Sequence, residues 1–111
     1  MADNYSQTRR PNNVNIIEIA DTPEFFEDTS FVTGDSPATL DANAALGRNA
    51  TQGYIKNDGA GNFTVAFSTD GTTFGDAITM KNGETLDFVN ISVDSLKLVW
   101  ISDSSYRVSV I

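Results

Sequence analysis

The sequence has no cysteine and no histidine. Without cysteine there is no disulfide framework and no thiolate chemistry. Without histidine the usual general base near neutral pH and the commonest transition-metal ligand are gone. Ser-His-Asp and Cys-His sites are excluded within the chain. Zinc would have only carboxylates to bind. Positive charge is also scarce. Seven basic residues stand against fifteen acidic ones, for a net charge of -8. Binding to nucleic acid needs cationic patches that displace counterions from phosphate. Here Arg9-Arg10 is the sole basic pair. Neither nucleic acid nor an anionic membrane is therefore an expected partner. No apolar run approaches the roughly 20 residues of a membrane helix. The polar N-terminus shows no secretory signal pattern, so synthesis and retention in the cytoplasm, or release by lysis, is the expectation.

What remains is a chain of 111 residues, enough for one modest core. It divides into two unlike parts. Residues 1–50 are polar, acidic and irregular and read as an extended N-terminal arm with one or two strands. Residues 51–111 are dense in strand signals. In the arm, Val14-Asn15-Ile16-Ile17-Glu18-Ile19-Ala20 has the β-branched content of a strand. Asp21-Thr22-Pro23 then favours a turn. Ser30-Phe31-Val32-Thr33 is a short strand, ended by Gly34-Asp35-Ser36-Pro37. The Ala/Leu-rich stretch 38–48 suits one or two helical turns, with Thr39 or Asp41 as cap and Gly47 as stop.

The second half reads as a run of β-hairpins. Phe63, Val65 and Phe67 alternate onto one face. Asp70-Gly71 and Asn82-Gly83 are tight-turn pairs. Residues 95–101 form the most hydrophobic, central strand, where Leu96, Leu98 and Trp100 share a face turned to the core. The final strand 106–111 is expected to be paired. Turn signals recurring every 8–12 residues or so indicate a sandwich or barrel. The expected fold is mostly β: an antiparallel β-sandwich or jelly-roll-like domain preceded by an extended arm.

Candidate chemistry is sparse. Glu24 with Glu27, or Asp58 with Asp70, makes a poor acid/base couple, because nothing places either pair across a cleft and turns already explain the aspartates. Asn57-Asp58-Gly59-Ala60-Gly61-Asn62 lacks the spacing of a calcium loop. Three glycosylation sequons, at Asn49, Asn62 and Asn90, are expected to be chance matches. No cofactor and no metal is expected, and the chain does not read as an enzyme. Trp100, Tyr54 and Tyr106 are candidates for a sugar-stacking platform, with core packing the favoured reading for Trp100.

One pattern does point to a partner. Glu18, Asp21, Glu24, Glu27, Asp28, Asp35 and Asp41 form an acidic run with no base among them. Phe25-Phe26 and Phe31 lie inside it. This suits a docking surface with apolar anchors for a basic partner. The candidate partner-binding residues are Ile16, Ile17, Phe25, Phe26, Glu27, Asp28 and Phe31. A polar arm of this length has little apolar surface with which to order itself, so neighbouring copies or a different chain are expected to hold it.

The cadence of Tyr54-Ile55-Lys56-Asn57-Asp58-Gly59-Ala60-Gly61-Asn62-Phe63-Thr64-Val65-Ala66-Phe67-Ser68-Thr69-Asp70-Gly71-Thr72-Thr73-Phe74-Gly75, with Met80-Lys81-Asn82-Gly83-Glu84-Thr85-Leu86, resembles the small β-sandwich proteins of tailed-phage particles. These are head decoration or cement proteins, head fibres and related attachment modules. The resemblance implies a non-enzymatic virion structural protein. The leading form is a capsid cement protein on the capsid surface, bridging major capsid protein subunits through its arm and forming dimers or trimers. A tail, fibre or baseplate adaptor is the alternative, and a carbohydrate-binding module the second. Residues 68–74 also resemble hairpins of discoidin domains and sialidase Asp boxes, but with different spacing and with Phe74 where tryptophan is usual.

Overall fold

The computed structural model describes residues 22–111. The strand expected over residues 14–20, with Ile16 and Ile17, lies outside them. Eight strands follow: β1 (Glu24–Phe31), β2 (Ala38–Asp41), β3 (Ala50–Asn57), β4 (Phe63–Ser68), β5 (Ile78–Met80), β6 (Thr85–Val93), β7 (Ser95–Trp100) and β8 (Ser104–Val110). A 3-10 turn covers Thr33–Asp35, and one helix, α1, covers Ala42–Leu46.

The strands make two antiparallel sheets, ordered β1-β8-β3-β6 and β2-β7-β4-β5. Successive strands mostly alternate between sheets, which is the jelly-roll arrangement of two Greek keys. Both β1 and β2, from the N-terminal side of residue 50, are hydrogen-bonded into it. β1 pairs with β8 and β2 with β7.

This order corrects the reading of the second half as hairpins. Among its turns, the one after β4 returns to the same sheet, where β5 pairs with β4. The Asn82-Gly83 turn instead carries the chain from one sheet to the other. Gly83 takes φ 81° there, and the Glu84 N–H donates to the Lys81 carbonyl at 3.0 Å. A turn motif fixes where the chain reverses. It does not fix which sheet receives the next strand.

Residues 24–29 are the second correction. They are strand where local signals assigned no element beyond the Asp21-Thr22-Pro23 turn, because β8 supplies backbone partners from Val110 through Ser104. A bulge interrupts the register between Asp28 and Phe31, and the Asp28 carboxylate accepts the Ser30 N–H at 2.9 Å. β6 also runs past Val89, through Asn90 at φ 56°, a left-handed conformation that asparagine tolerates better than most residues. Elsewhere local chemistry prevails. The Asp41 side chain caps α1 by accepting the Ala44 N–H, and Gly47 at φ 79° ends it.

Side chains from both sheets interlock in the core. Phe31, Phe63 and Tyr106 meet edge to face, with ring centroids 5.3 to 6.0 Å apart. Phe67 and Phe88 do the same at 5.3 Å. Such pairs add to the burial energy of the rings. The inward rows Ile55, Val108 and Val110 on one side and Val65, Leu96 and Leu98 on the other complete the filling.

One buried polar group ties the loops together. The Asn57 amide donates to the carbonyls of Gly61 and Met80 at 2.8 and 2.9 Å. Its oxygen accepts from the Gly59 N–H and the Ser104 hydroxyl. All four of its hydrogen-bonding positions are filled. At the β4 turn the Asp70 carboxyl is held below its ordinary pKa, chiefly by the N–H groups of Thr73 and Thr72 and then by the Ser68 hydroxyl.

Phe31 is fully buried, so it is a core residue and not a surface anchor. Phe31→Ala is expected to destabilise the fold by about 3–5 kcal/mol, read from urea unfolding. A loss under ~1 kcal/mol would contradict its place in the core. Tyr106 yields a pH prediction. Burial raises its pKa above the ordinary value of about 10, and the Asp28 and Asp35 carboxylates add to the shift. Its neutral form is thus favoured by folding. That stability is complete below about pH 10 and is lost as pH rises through the folded pKa. The unfolding free energy of the protein should fall more steeply above pH 10 than that of the Tyr106→Phe variant. Parallel curves would refute the assignment.

Candidate functional site

β1, β8 and β3 lie side by side, and alternate residues of each face outward from the sandwich. One outward row reads Phe25, Ser109, Tyr54, Asp87 across β1, β8, β3 and β6. The adjacent row reads Glu27, Arg107, Lys56, Thr85. Strand spacing puts Phe25 and Tyr54 on strands about 10 Å apart, with only the small Ser109 between them. The result is a half-open groove of about 210 Å³, lined by Phe25, Phe26, Glu27, Tyr54, Arg107 and Val108.

Phe25 is 67 % exposed, and Tyr54 and Val89 are also exposed on this face. Gln52 opposite Val89 continues it toward the edge of the sheet. The charges beside the groove are loosely held. Arg107 lies 3.4 Å from the Asp58 carboxylate, with both side chains largely exposed, so the pair contributes about 0–1 kcal/mol. The groove therefore offers two aromatic walls, with one carboxylate and one guanidinium at its rim. That combination suits an apolar or aromatic group whose neighbouring polar atoms need one donor and one acceptor.

β1 divides the partner-binding residues read from the sequence. Phe25 and Glu27 point outward and share the groove. Phe26 is half-buried and packs against the core, though its edge reaches the groove lining. Asp28 is half-buried opposite Tyr106 and serves the bulge. Phe31 is core, and Ile16 and Ile17 lie outside the described residues. The bulge moves Phe31 onto the inner face, an effect that spacing alone does not reveal.

The three sugar-platform candidates do not share a face. Tyr106 is buried in the aromatic cluster. Trp100 is half-buried against the core on the other sheet, with its indole N–H donated to Asp103 at 2.9 Å. Tyr54 alone stands on the groove. Sequence reading missed Arg107, Ser109 and the role of Tyr54, since their meeting with β1 depends on long-range pairing. Among the described residues, no group of three or more Asp or Glu is arranged to hold a metal ion. No helix among them is long and apolar enough to cross a membrane.

No protein-family model and no curated protein matches the chain. Among solved structures, it is similar to a chain from the disulfide-linked pili that form Bacillus endospore appendages. The likeness has a TM-score of 0.50 at 18% identity and covers 87% of this chain and 96% of that one. At that identity it shows a shared fold.

Proposed function

We propose that this chain is a non-enzymatic structural subunit of a larger particle, docking through the outward face of the β1-β8-β3-β6 sheet. The observation that carries the reading is Phe25: a large aromatic, 67 % exposed, beside a second exposed aromatic and a groove. Exposed apolar surface rimmed by charge is a common feature of interaction sites. The pilus neighbour supports the reading only through its fold, which there builds an appendage. Any such assembly of this chain is non-covalent as far as disulfides go, since it has no cysteine.

Within that class, a capsid cement protein of a tailed phage remains the proposal, with the major capsid protein as partner and the capsid surface as location. Support comes from the resemblance in residues 54–75 and 80–86, and from the carboxylate of Glu27 at the groove, which suits a basic partner. Each contact would be weak, and many linked contacts would hold through effective concentration. A tail, fibre or baseplate adaptor would use the same face. A carbohydrate-binding reading is favoured by one observation: Phe25 and Tyr54 flank a groove large enough for a single sugar ring.

The test is co-sedimentation with capsids assembled from the major capsid protein of the same genome. The double variant Phe25→Ser/Tyr54→Ser is expected to bind at least about tenfold more weakly, the cost of losing an interface hot spot. Its urea unfolding should change little, because both residues are on the surface. Unchanged particle binding by this variant would refute the face as the docking site. A saturable glycan hit abolished by the same variant would move the assignment to the carbohydrate reading.

A further inference from the structure

A second surface is open at the far edge of the same sheet. β6 is nine residues long and, among the described residues, pairs only on its β3 side. Its other edge has no strand partner among the described residues. Val89 is 59 % and Ile91 43 % exposed along it. Edge strands are commonly guarded by lysine, proline or brevity. β6 has no Lys, Arg or Pro. Its guards are the single charge of Asp87 and the irregularity at Asn90, which leaves Thr85 through Val89 in regular register with β3.

The sequence also contains a segment with the pattern of a strand that lies outside the described residues, 14–20, carrying Ile16, Ile17 and Ile19. Three residues lie between Ala20 and Glu24 at the start of β1, and the four Cα-to-Cα steps span at most about 14 Å fully extended. β1 and β6 are the opposite edges of one sheet. A strand added outside β6 lies four strand spacings from β1, roughly 19 Å. The segment cannot reach the β6 edge of its own domain.

We propose that the β6 edge receives residues 14–20 of a second copy of this chain as a fifth strand. This inference rests on the assembly reading above and names one partner for it, a second copy. Backbone hydrogen bonds would supply the affinity, and Ile side chains would cover Val89 and Ile91. The competing acceptor is the free edge of the segment's own β1, reached by a hairpin through Asp21-Thr22-Pro23. β1 carries Glu24, Glu27 and Asp28, and Glu18 in the incoming segment faces their repulsion there. On β6 it meets Asp87 alone within the strand. Reciprocal exchange between two copies gives a closed dimer, and head-to-tail exchange gives a ring such as a trimer, or an open chain.

The absence of native cysteine makes the test direct. Ile17→Cys chains are mixed with Val89→Cys chains at equal concentration and treated with a short bis-maleimide, with the full chain otherwise intact. The expected product is a covalent I17C–V89C dimer. Sedimentation should show the unmodified protein as an oligomer and the Val89→Lys variant as a monomer with unchanged circular dichroism. Preferential linkage of I17C to Thr79→Cys, on the β5 edge, would overturn the assignment of the edge. Intrachain linkage in an I17C/E27C double variant, with no dimer from the first mixture, would show the hairpin instead and overturn the proposal. A protein that stays monomeric without cross-links would overturn it as well. None of these readouts needs a capsid, so failure here is separable from failure of the particle-binding test.

Discussion

Everything in this sandwich depends on β8 finding its place between β1 and β3. One side of the strand joins residues Glu24 to Phe31, and the other joins Gly53 to Asn57. It brings Tyr106, Val108 and Val110 into the core at one stroke. Without it β1 has no sheet partner among the described residues, and Phe31 loses the Tyr106 ring it packs against. The contacts that stabilise the domain are therefore mostly non-local. Loop-closure entropy must be overcome before they form, which makes jelly rolls slow to fold compared with helical domains of the same size. Burial of the Phe31–Phe63–Tyr106 cluster is a large part of what offsets that cost.

The same pairing creates the outward face. Phe25 and Tyr54 are far apart in sequence and become neighbours only because β8 puts Ser109 between them. The inner and outer rows of β1 are thus coupled. Phe26 and Phe31 anchor the strand while Phe25 and Glu27 stay free for contact. A rigid scaffold that presents a few exposed side chains suits multivalent docking, because little conformational freedom is lost on binding. The groove and the β6 edge lie on one sheet, so the proposed docking face and the proposed self-association edge are continuous.

Parts of this were legible in the sequence and parts were not, for physical reasons. Asp41 as cap and Gly47 as stop were readable, since both act within a few residues. So were the turns at Asp70-Gly71 and Asn82-Gly83 and the central strand that became β7. The Glu-Phe-Phe-Glu-Asp run gave no such signal. Its extended state comes from β8, whose identity no local window contains. The faces of Phe25 and Phe31 were likewise hidden, because a bulge resets the alternation between them. Asn57 looked like an ordinary turn residue, and its four hydrogen bonds became visible only when Gly61, Met80 and Ser104 were gathered around it. Of the candidate site, an aromatic among acids was readable at Phe25. Its partners Tyr54 and Arg107 were set by register.

The position of β8 also has a consequence for synthesis on the ribosome. Phe31 is made about 70 residues before its opposite number Ser104, a delay of roughly 4–15 s at ordinary elongation rates. During that interval the nascent β1 segment carries three aromatic rings and no sheet partner. Glu24, Glu27 and Asp28 space and flank those rings, and like charge discourages neighbouring nascent chains from pairing through them. The acids on this strand thus act on the unfinished polypeptide, before any tertiary contact exists.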